Sequence, residues 1–204
     1  MGLYRKLVLP RLCDLAMRNR VFWPYRRAAV AAAEGRVLEI GAGAGLNLAL
    51  YPVAVREIFA LEPDPHLRSL AELRAGNLDR PISLLDAMAE AIPLETASVD
   101  AVVTTWTLCT LPDLAAALGE ARRVLKPGGR LIFVEHGLAP DAAVRKWQDR
   151  LTPAWKRVFG GCHLNRPIDA VIEAGGFAIE TLSCAYAPAP RIVGYLYQGT
   201  ARAT

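Results

Sequence analysis

The stretch Glu39-Ile-Gly41-Ala-Gly43-Ala-Gly45 is the part of the sequence best built to hold a ligand. Glycines let a backbone approach a bound molecule closely and leave amide N–H groups free to bind it. A glycine pattern alone is weak, but this one directly follows a short apolar strand, Arg36 to Ile40, where a binding loop belongs. A dinucleotide loop reads G-x-G-x-x-G, whereas position 46 here is Leu46. Glu39, inside the strand, would also sit near a pyrophosphate and repel it. Both features point to a cationic ligand without phosphates. Glu62 ends the second strand, 17 residues after Gly45, where a carboxylate can accept both ribose hydroxyls. Asp86, after the third strand, is placed to meet an adenine edge, with Ala87 and Met88 supplying a backbone amide and an apolar wall.

A second set of residues could act on whatever shares the site. His136 ends the fifth strand, where it could take a proton from a thiol, a phenol or an amine, or simply pack. Glu135 is expected to hydrogen-bond backbone or His136. Trp106 follows the fourth strand and could wall a pocket or belong to the core. Cys109 reads as a small apolar core residue. Cys162 and His163 are adjacent, and adjacent side chains rarely face each other. Trp147, Gln148 and Trp155 could cap an acceptor pocket or pack a helix on the sheet. The four cysteines (13, 109, 162, 184) show no C-x-x-C spacing, and His66, His136 and His163 add no metal pattern, so no metal site is expected. Reduced thiols in a cytoplasmic protein are the plain reading.

The elements that would carry these residues alternate. Pro10 and Pro24 each suit the first position of a helix, and Ala28 to Ala33 continue a second helix that ends at Gly35. Strands are expected at Arg36–Ile40, Glu57–Leu61, Pro81–Leu85, Val99–Thr104 and Gly129–Glu135. Helices are expected at Pro65–Ala75, Leu114–Leu125, Asp141–Arg150 and Ile168–Ala174. Two final strands, Phe177–Ser183 and Ile192–Gln198, lie close enough to pair as a hairpin. Five strand–helix alternations imply an α/β, Rossmann-like, doubly wound sheet of seven strands. It is expected to be mainly parallel, with a C-terminal antiparallel hairpin and N-terminal helices. The ligand crevice should lie beyond the carboxyl ends of the strands, beside the first. At 204 residues one domain is expected, with a helical arm over 1–35, a core over 36–204 and an irregular, substrate-side insert at 151–167.

Composition excludes other classes. Hydrophobic residues make up 53% and charged residues 22%, which rules out a disordered or collagenous chain. No run of 18 apolar residues is present, so a transmembrane helix is not expected. Asp14 and Arg18 interrupt any signal-peptide core. Residues 1–36 hold eight Lys/Arg against Asp14 and Glu34, so the net charge of +4 resides entirely in the arm. The arm could touch an anionic membrane surface or cap the site. No nucleic-acid module accompanies the charge, so nucleic acid is not an expected partner. The oligomeric state is not read from the sequence.

Four stretches together resemble the class I S-adenosylmethionine-dependent methyltransferases: Val37-Leu-Glu-Ile-Gly-Ala-Gly-Ala-Gly45, Phe59-Ala-Leu-Glu-Pro-Asp64, Leu84-Leu-Asp-Ala-Met-Ala-Glu90 and Val124-Leu-Lys-Pro-Gly-Gly129. A narrower resemblance, to methyltransferase-like proteins that include the mammalian thiol S-methyltransferases, spans nearly everything beyond residue 36. It rests on Gly45 to Pro52, Ser98 to Cys109, Phe133-Val-Glu-His136, Trp147-Gln148, Pro153-Ala-Trp155, Gly161-Cys-His-Leu-Asn-Arg166, Ala174 to Phe177 and Pro190 to Tyr195. The resemblance implies S-adenosyl-L-methionine as cofactor, held by Glu39, Gly41, Ala42, Gly43, Gly45, Asn47, Glu62, Pro63, Asp86, Ala87, Met88, Thr104 and Thr105. It implies a small-molecule acceptor, a thiol first; from their positions at the strand ends, on the following helix and in the insert, Trp106, Trp147, His163 and Asn165 are expected to line it, with His136 as the catalytic residue. A phospholipid amine or quinone precursor at a membrane surface is the alternative acceptor. A cofactor-binding protein without catalysis is a third reading. The mammalian relatives carry an apolar N-terminal anchor, whereas this arm is basic and amphipathic. Methyl transfer from a sulfonium is an in-line displacement, so the protein's main task is positioning. A thiol acceptor must also reach the thiolate form from a pKa of ~8.5.

Overall fold

The computed structural model describes residues 3–204. After a helical turn at Tyr4–Val8 come α1 (Leu9–Met17), α2 (Trp23–Val30), β1 (Gly35–Ile40), β2 (Val55–Leu61), α3 (Pro65–Ala75), β3 (Ile82–Leu85) and β4 (Val99–Thr105). Then follow α4 (Leu114–Val124), β5 (Leu125–His136), α5 (Ala142–Val158), α6 (Ile168–Ala174), β6 (Phe177–Tyr186), α7 (Arg191–Gly194) and β7 (Tyr195–Ala203). The sheet order is β3-β2-β1-β4-β5-β7-β6. The first five strands run parallel, while β7 enters antiparallel between β5 and β6. This is the Rossmann-like arrangement expected from the alternation of elements, including the antiparallel C-terminal pair.

Side chains alternate along each strand, so the two sheet faces build two cores. Leu38, Leu61, Val102, Leu131 and Phe133 pack with Leu118 and Ala121 of α4 and Ile168 and Ile172 of α6. Val37, Ile58, Val103, Ile132 and Val134 pack with Ala29 and Val30 of α2 and Ala71 of α3. Phe133 is fully buried, and its truncation to Ala would cost ~3–5 kcal/mol. The helices start where local chemistry permits. Asp64 caps α3 by accepting from the amides of His66 and Leu67, with Pro65 in the first turn. Asp113 caps α4 through the Ala116 amide.

Several boundaries differ from the sequence expectation, among them the start of β5 at Leu125, the end of β7 at Ala203 and the end of α2 at Val30. Helix α5 continues eight residues beyond Arg150, through Pro153, to Val158, so the first half of the expected irregular insert is helical. Its inner face explains this. Gln148 is fully buried and bridges Ala139 N, Gly137 O and Ile192 O, and Thr152 donates to Gln148 O. Tertiary anchoring of that face outweighs the hydrogen bond lost at proline. The last strand begins at Tyr195 rather than Ile192, because Arg191–Gly194 form a short helical turn whose Gly194 carbonyl accepts from Ala187 N. Strand β6 runs three residues further than expected, to Tyr186, alongside β7.

Because β1 lies between β2 and β4, the strand order reverses beside it, and a crevice opens at the carboxyl ends of β1, β4 and β5.

Candidate active site

A cavity of about 540 Å³ fills that crevice. One end is the glycine loop after β1. The amides of Gly41 and Ala42 both donate to Leu61 O, which pulls the loop across to β2. Gly41 has φ +70°, and a Cβ there would collide with Thr107. Gly43 has φ +56° and nothing within 4 Å of a would-be Cβ, so its backbone faces open space. Its amide donates to Glu62 Oε2 at 2.8 Å, and the Asp64 amide donates to Oε1 at 2.9 Å. Each Glu62 oxygen therefore keeps a lone pair for a further donor. Burial pushes the Glu62 carboxyl up, against those two backbone bonds.

A buried polar network supports the loop from below. Asn47 donates to Glu39 Oε1 at 2.7 Å and to Thr105 Oγ1 at 3.0 Å, and Tyr51 donates to Glu39 Oε2 at 2.9 Å. Arg26 of α2 donates to Asn47 Oδ1 at 2.9 Å. Burial pushes the Glu39 carboxyl up to about 7, opposed by Tyr51, Asn47 and the Arg26 charge. Burial likewise lowers Arg26 to about 10, with Glu39 acting against it.

The basic arm forms one wall. Cys13, Asp14, Met17, Phe22 and Arg26 all line the cavity. Arg74 of α3 ties the arm to the loop: it pairs with Asp14 at 3.8 Å and donates to Ala44 O. Trp106 stands where arm and sheet meet. Its φ of +53° is rare for a bulky residue and carries strain. Three contacts hold it: its amide donates to Val134 O at 2.9 Å, Phe22 lies 5.0 Å away and the Arg26 guanidinium 4.9 Å above the ring.

The other end of the cavity gathers Cys109, His136 and Cys162. His136 Nε2 is 3.0 Å from Cys162 Sγ, and the two sulfurs are 3.8 Å apart. Parallel β4 and β5 bring the first two close, since Thr105 registers with Val134. Glu135, fully buried, accepts from Thr107 N at 2.9 Å and from Cys109 N at 3.4 Å, and so shapes the loop that carries Cys109. Cys162 arrives after α5, and the His163 amide fastens its segment to Cys109 O at 2.8 Å. Arg166 clamps the same two segments by donating to Leu108 O and Leu111 O. The Cys109 sulfhydryl and the His136 imidazole hold Cys162 well below the usual thiol value, while that same sulfur pair and burial raise Cys109. Burial disfavours protonation of His136, but Cys162 and Glu135 outweigh it and raise its pKa.

Of the residues expected from sequence, Gly41, Ala42, Gly43, Glu62, Pro63, Thr105, Trp106 and His136 line this cavity. Glu39 and Asn47 lie beneath the loop as its support, and Gly45 (φ +76°) packs on Leu48 and Ala71. Thr104 is wholly buried in β4. Asp86, Ala87 and Met88 are not in the cavity wall: Asp86 is exposed and paired with Arg68 at 2.8 Å, and Ala87 packs against the core. Trp147 is 53% exposed, under Arg150 on the outer side of α5. Instead, Trp155 and Phe159, stacked 4.0 Å apart, close the cavity. His163 serves through its backbone. Asn165 accepts from Thr152 and donates to Asp149, outside the cavity wall. Sequence reading treated Cys109 and Cys162 separately. The register of β4 against β5 could have paired Cys109 with His136, but nothing in the spacing announced Cys162.

The open Gly43 backbone, the two free lone pairs of Glu62 and the walls of Pro63, Leu67 and Trp106 suit a nucleoside with an uncharged or cationic tail. The match to known proteins agrees. Residues 38–133 fit the family described as a methyltransferase domain. The chain is 33% identical to human thiol S-methyltransferase TMT1A over 78% of this chain and 69% of that protein. It is 36% identical to thiol S-methyltransferase TMT1B of Rattus norvegicus over 71% of this chain, and there it spans 61% of the relative's length. A Thermotoga maritima S-adenosylmethionine-dependent methyltransferase, described as a possible histamine N-methyltransferase, shares the fold with a TM-score of 0.71 at 19% identity, covering 98% of this chain and 99% of that one. The chain belongs to the class I S-adenosylmethionine-dependent methyltransferases. Its particular likeness within them is to proteins named thiol S-methyltransferases, and the donor the family implies is S-adenosylmethionine. Among the described residues, no helix is long and apolar enough to cross a membrane.

Proposed function

We propose that this enzyme transfers a methyl group from S-adenosylmethionine to the sulfur of a small, largely apolar thiol. The observation that carries the reading is one continuous cavity with Glu62 and the glycine loop at one end and His136, Cys109 and Cys162 at the other. The relatives named thiol S-methyltransferases, at 33% and 36% identity, support the choice of sulfur as acceptor.

In this reading Gly41, Ala42, Gly43, Glu62, Pro63 and Thr105 hold the donor, with Glu62 accepting from its ribose. Glu39 and Asn47 act one layer down, by fixing the loop. S-adenosylmethionine supplies an electrophilic methyl on a sulfonium that is already a good leaving group. What the chain adds is alignment and dryness. Trp106, Phe22, Trp155 and Phe159 shape an apolar space that excludes water and holds acceptor sulfur in line with the methyl. The acceptor also has to lose its proton, and His136 is the residue we assign to that, since its ring stands in the acceptor's wall. The test is transfer of labelled methyl into separate pools of alkyl and aryl thiols, amines, phenols and phosphatidylethanolamine vesicles. Product in the thiol pool is expected. Product only with vesicles would replace this reading with the lipid-amine one.

A further inference from the structure

We propose that Cys109, His136 and Cys162 are three ligands of one thiophilic divalent cation of the zinc type, whose fourth position opens into the cavity and receives the acceptor thiol. The second half of that statement rests on the thiol reading above, while the cation site stands without it.

The three ligand atoms lie within 4.8 Å of one another, on three separate segments of chain. A tetrahedral zinc with Zn–S of about 2.3 Å requires a sulfur–sulfur distance of about 3.8 Å, and the sulfurs of Cys109 and Cys162 are 3.8 Å apart. The same geometry places nitrogen and sulfur about 3.5 Å apart. The 3.0 Å between Nε2 and Cys162 Sγ asks the ring to withdraw by roughly half an ångström. Two cysteines and one histidine, with one position left open, are a ligand set of catalytic rather than structural zinc. All three residues are buried, yet all three line the cavity, so the open position faces the acceptor. The segments are already fastened together by His163 N to Cys109 O and by Arg166 on Leu108 and Leu111, so little ordering accompanies binding.

A cation there does for the acceptor what a base would do. The thiol releases its proton to water on taking the fourth position and is held as a thiolate. Its sulfur then forms the new bond to the methyl carbon, while the old bond to the sulfonium breaks and leaves its electron pair on the donor sulfur. The product thioether is uncharged, a weaker ligand than a thiolate, and leaves. The role of His136 in deprotonation is then that of a ligand.

The experiment titrates the full chain, stripped with a chelator under reducing conditions, with Zn²⁺ against a chromogenic competitor, and separately with Co²⁺ in the spectrophotometer. Stoichiometric Zn²⁺ binding is expected, with a sulfur-to-cobalt charge-transfer band and the intense visible bands of a tetrahedral site. Binding should be lost in Cys109→Ser, Cys162→Ser and His136→Gln and kept in Cys184→Ser, whose cysteine is exposed on β6. Circular dichroism shows whether each variant is folded, and the cobalt spectrum of the unaltered chain reports the ligands without any variant. An added aryl thiol should intensify the charge-transfer band as a third sulfur binds. No stoichiometric binding, or binding unaffected by Cys109→Ser and Cys162→Ser in folded protein, overturns the site. An unchanged cobalt spectrum on adding thiol overturns the open position. Full thiol turnover by metal-free protein overturns the cation's role and leaves the proposed function intact. Cation binding at these residues with no thiol turnover sustains the site and sinks the proposed function.

Discussion

Nε2 of His136 stands 3.0 Å from Sγ of Cys162, although 26 residues separate them in the chain. This contact joins the end of β5 to the segment after α5 at the floor of the cavity, where an acceptor must lie if the glycine loop holds the donor. Removing the imidazole should therefore damage transfer to the acceptor and spare the donor. For His136→Ala, kcat/KM with a thiol should fall about 100-fold. The affinity for S-adenosylhomocysteine, measured by calorimetry, should not change. Loss of both together would mean that His136 serves folding or the donor.

Glu62 makes the opposite case. Its carboxylate is fixed by Gly43 N and Asp64 N and lines the cavity beside the glycine loop, while Asp14, the other acid in that wall, is paired with Arg18 and Arg74. A hydrogen bond to a charged group is worth ~1.5–3 kcal/mol. Glu62→Gln should thus raise the Kd for S-adenosylhomocysteine about tenfold or more. An unchanged Kd would remove Glu62 from the donor site.

Glu39 gives a prediction in pH. Its folded-state value, about 7, lies above the ordinary 4.5. Between those values the folded chain keeps a proton that the unfolded chain has lost, so this group's contribution to stability falls as pH rises through that window. At ~1.4 kcal/mol per pKa unit the full effect is about 3 kcal/mol. Urea unfolding at pH 5 and pH 7 should show a smaller loss of stability for Glu39→Gln than for the unaltered chain. Equal losses would mean that Glu39 titrates normally.

The arm turned out to be built into the site, which the sequence presented only as one of two options. Its inward residues wall the cavity, yet Leu7, Arg11, Leu15 and Arg18 are exposed and spaced along one side of the helical segment. Arg18 is paired with Asp14 at 2.6 Å, so contact of this face with an anionic lipid layer would rest on Arg11 and the leucines. The chain is expected to sediment with phosphatidylglycerol vesicles at low ionic strength and to be released by salt. No sedimentation at low salt would leave capping as the arm's sole role.

Local signals made the parallel half of the fold legible. The continuous apolar run at 131–134 required burial on both faces. The end of α5 was not legible, because the helix continues past Arg150 and through Pro153 only where the buried partners Gln148 and Thr152 hold its inner face. The glycine-loop end of the cavity was legible because it is one contiguous loop plus strand-end residues. The other end was not, because Cys109, His136 and Cys162 meet only through strand register and the packing of α5. Trp147 shows the converse: a chemically apt residue at a plausible position whose ring lies on the exposed side of α5.

The proposed function makes sulfur the atom methylated. The direct measurement is kcat/KM for formation of S-adenosylhomocysteine with three acceptors of one shape, an aryl thiol, the matching phenol and the matching aniline. The thiol should be turned over with a value at least about 100-fold above both others, a gap of roughly 3 kcal/mol in transition-state stabilisation. A phenol or aniline that matches or exceeds the thiol would contradict it.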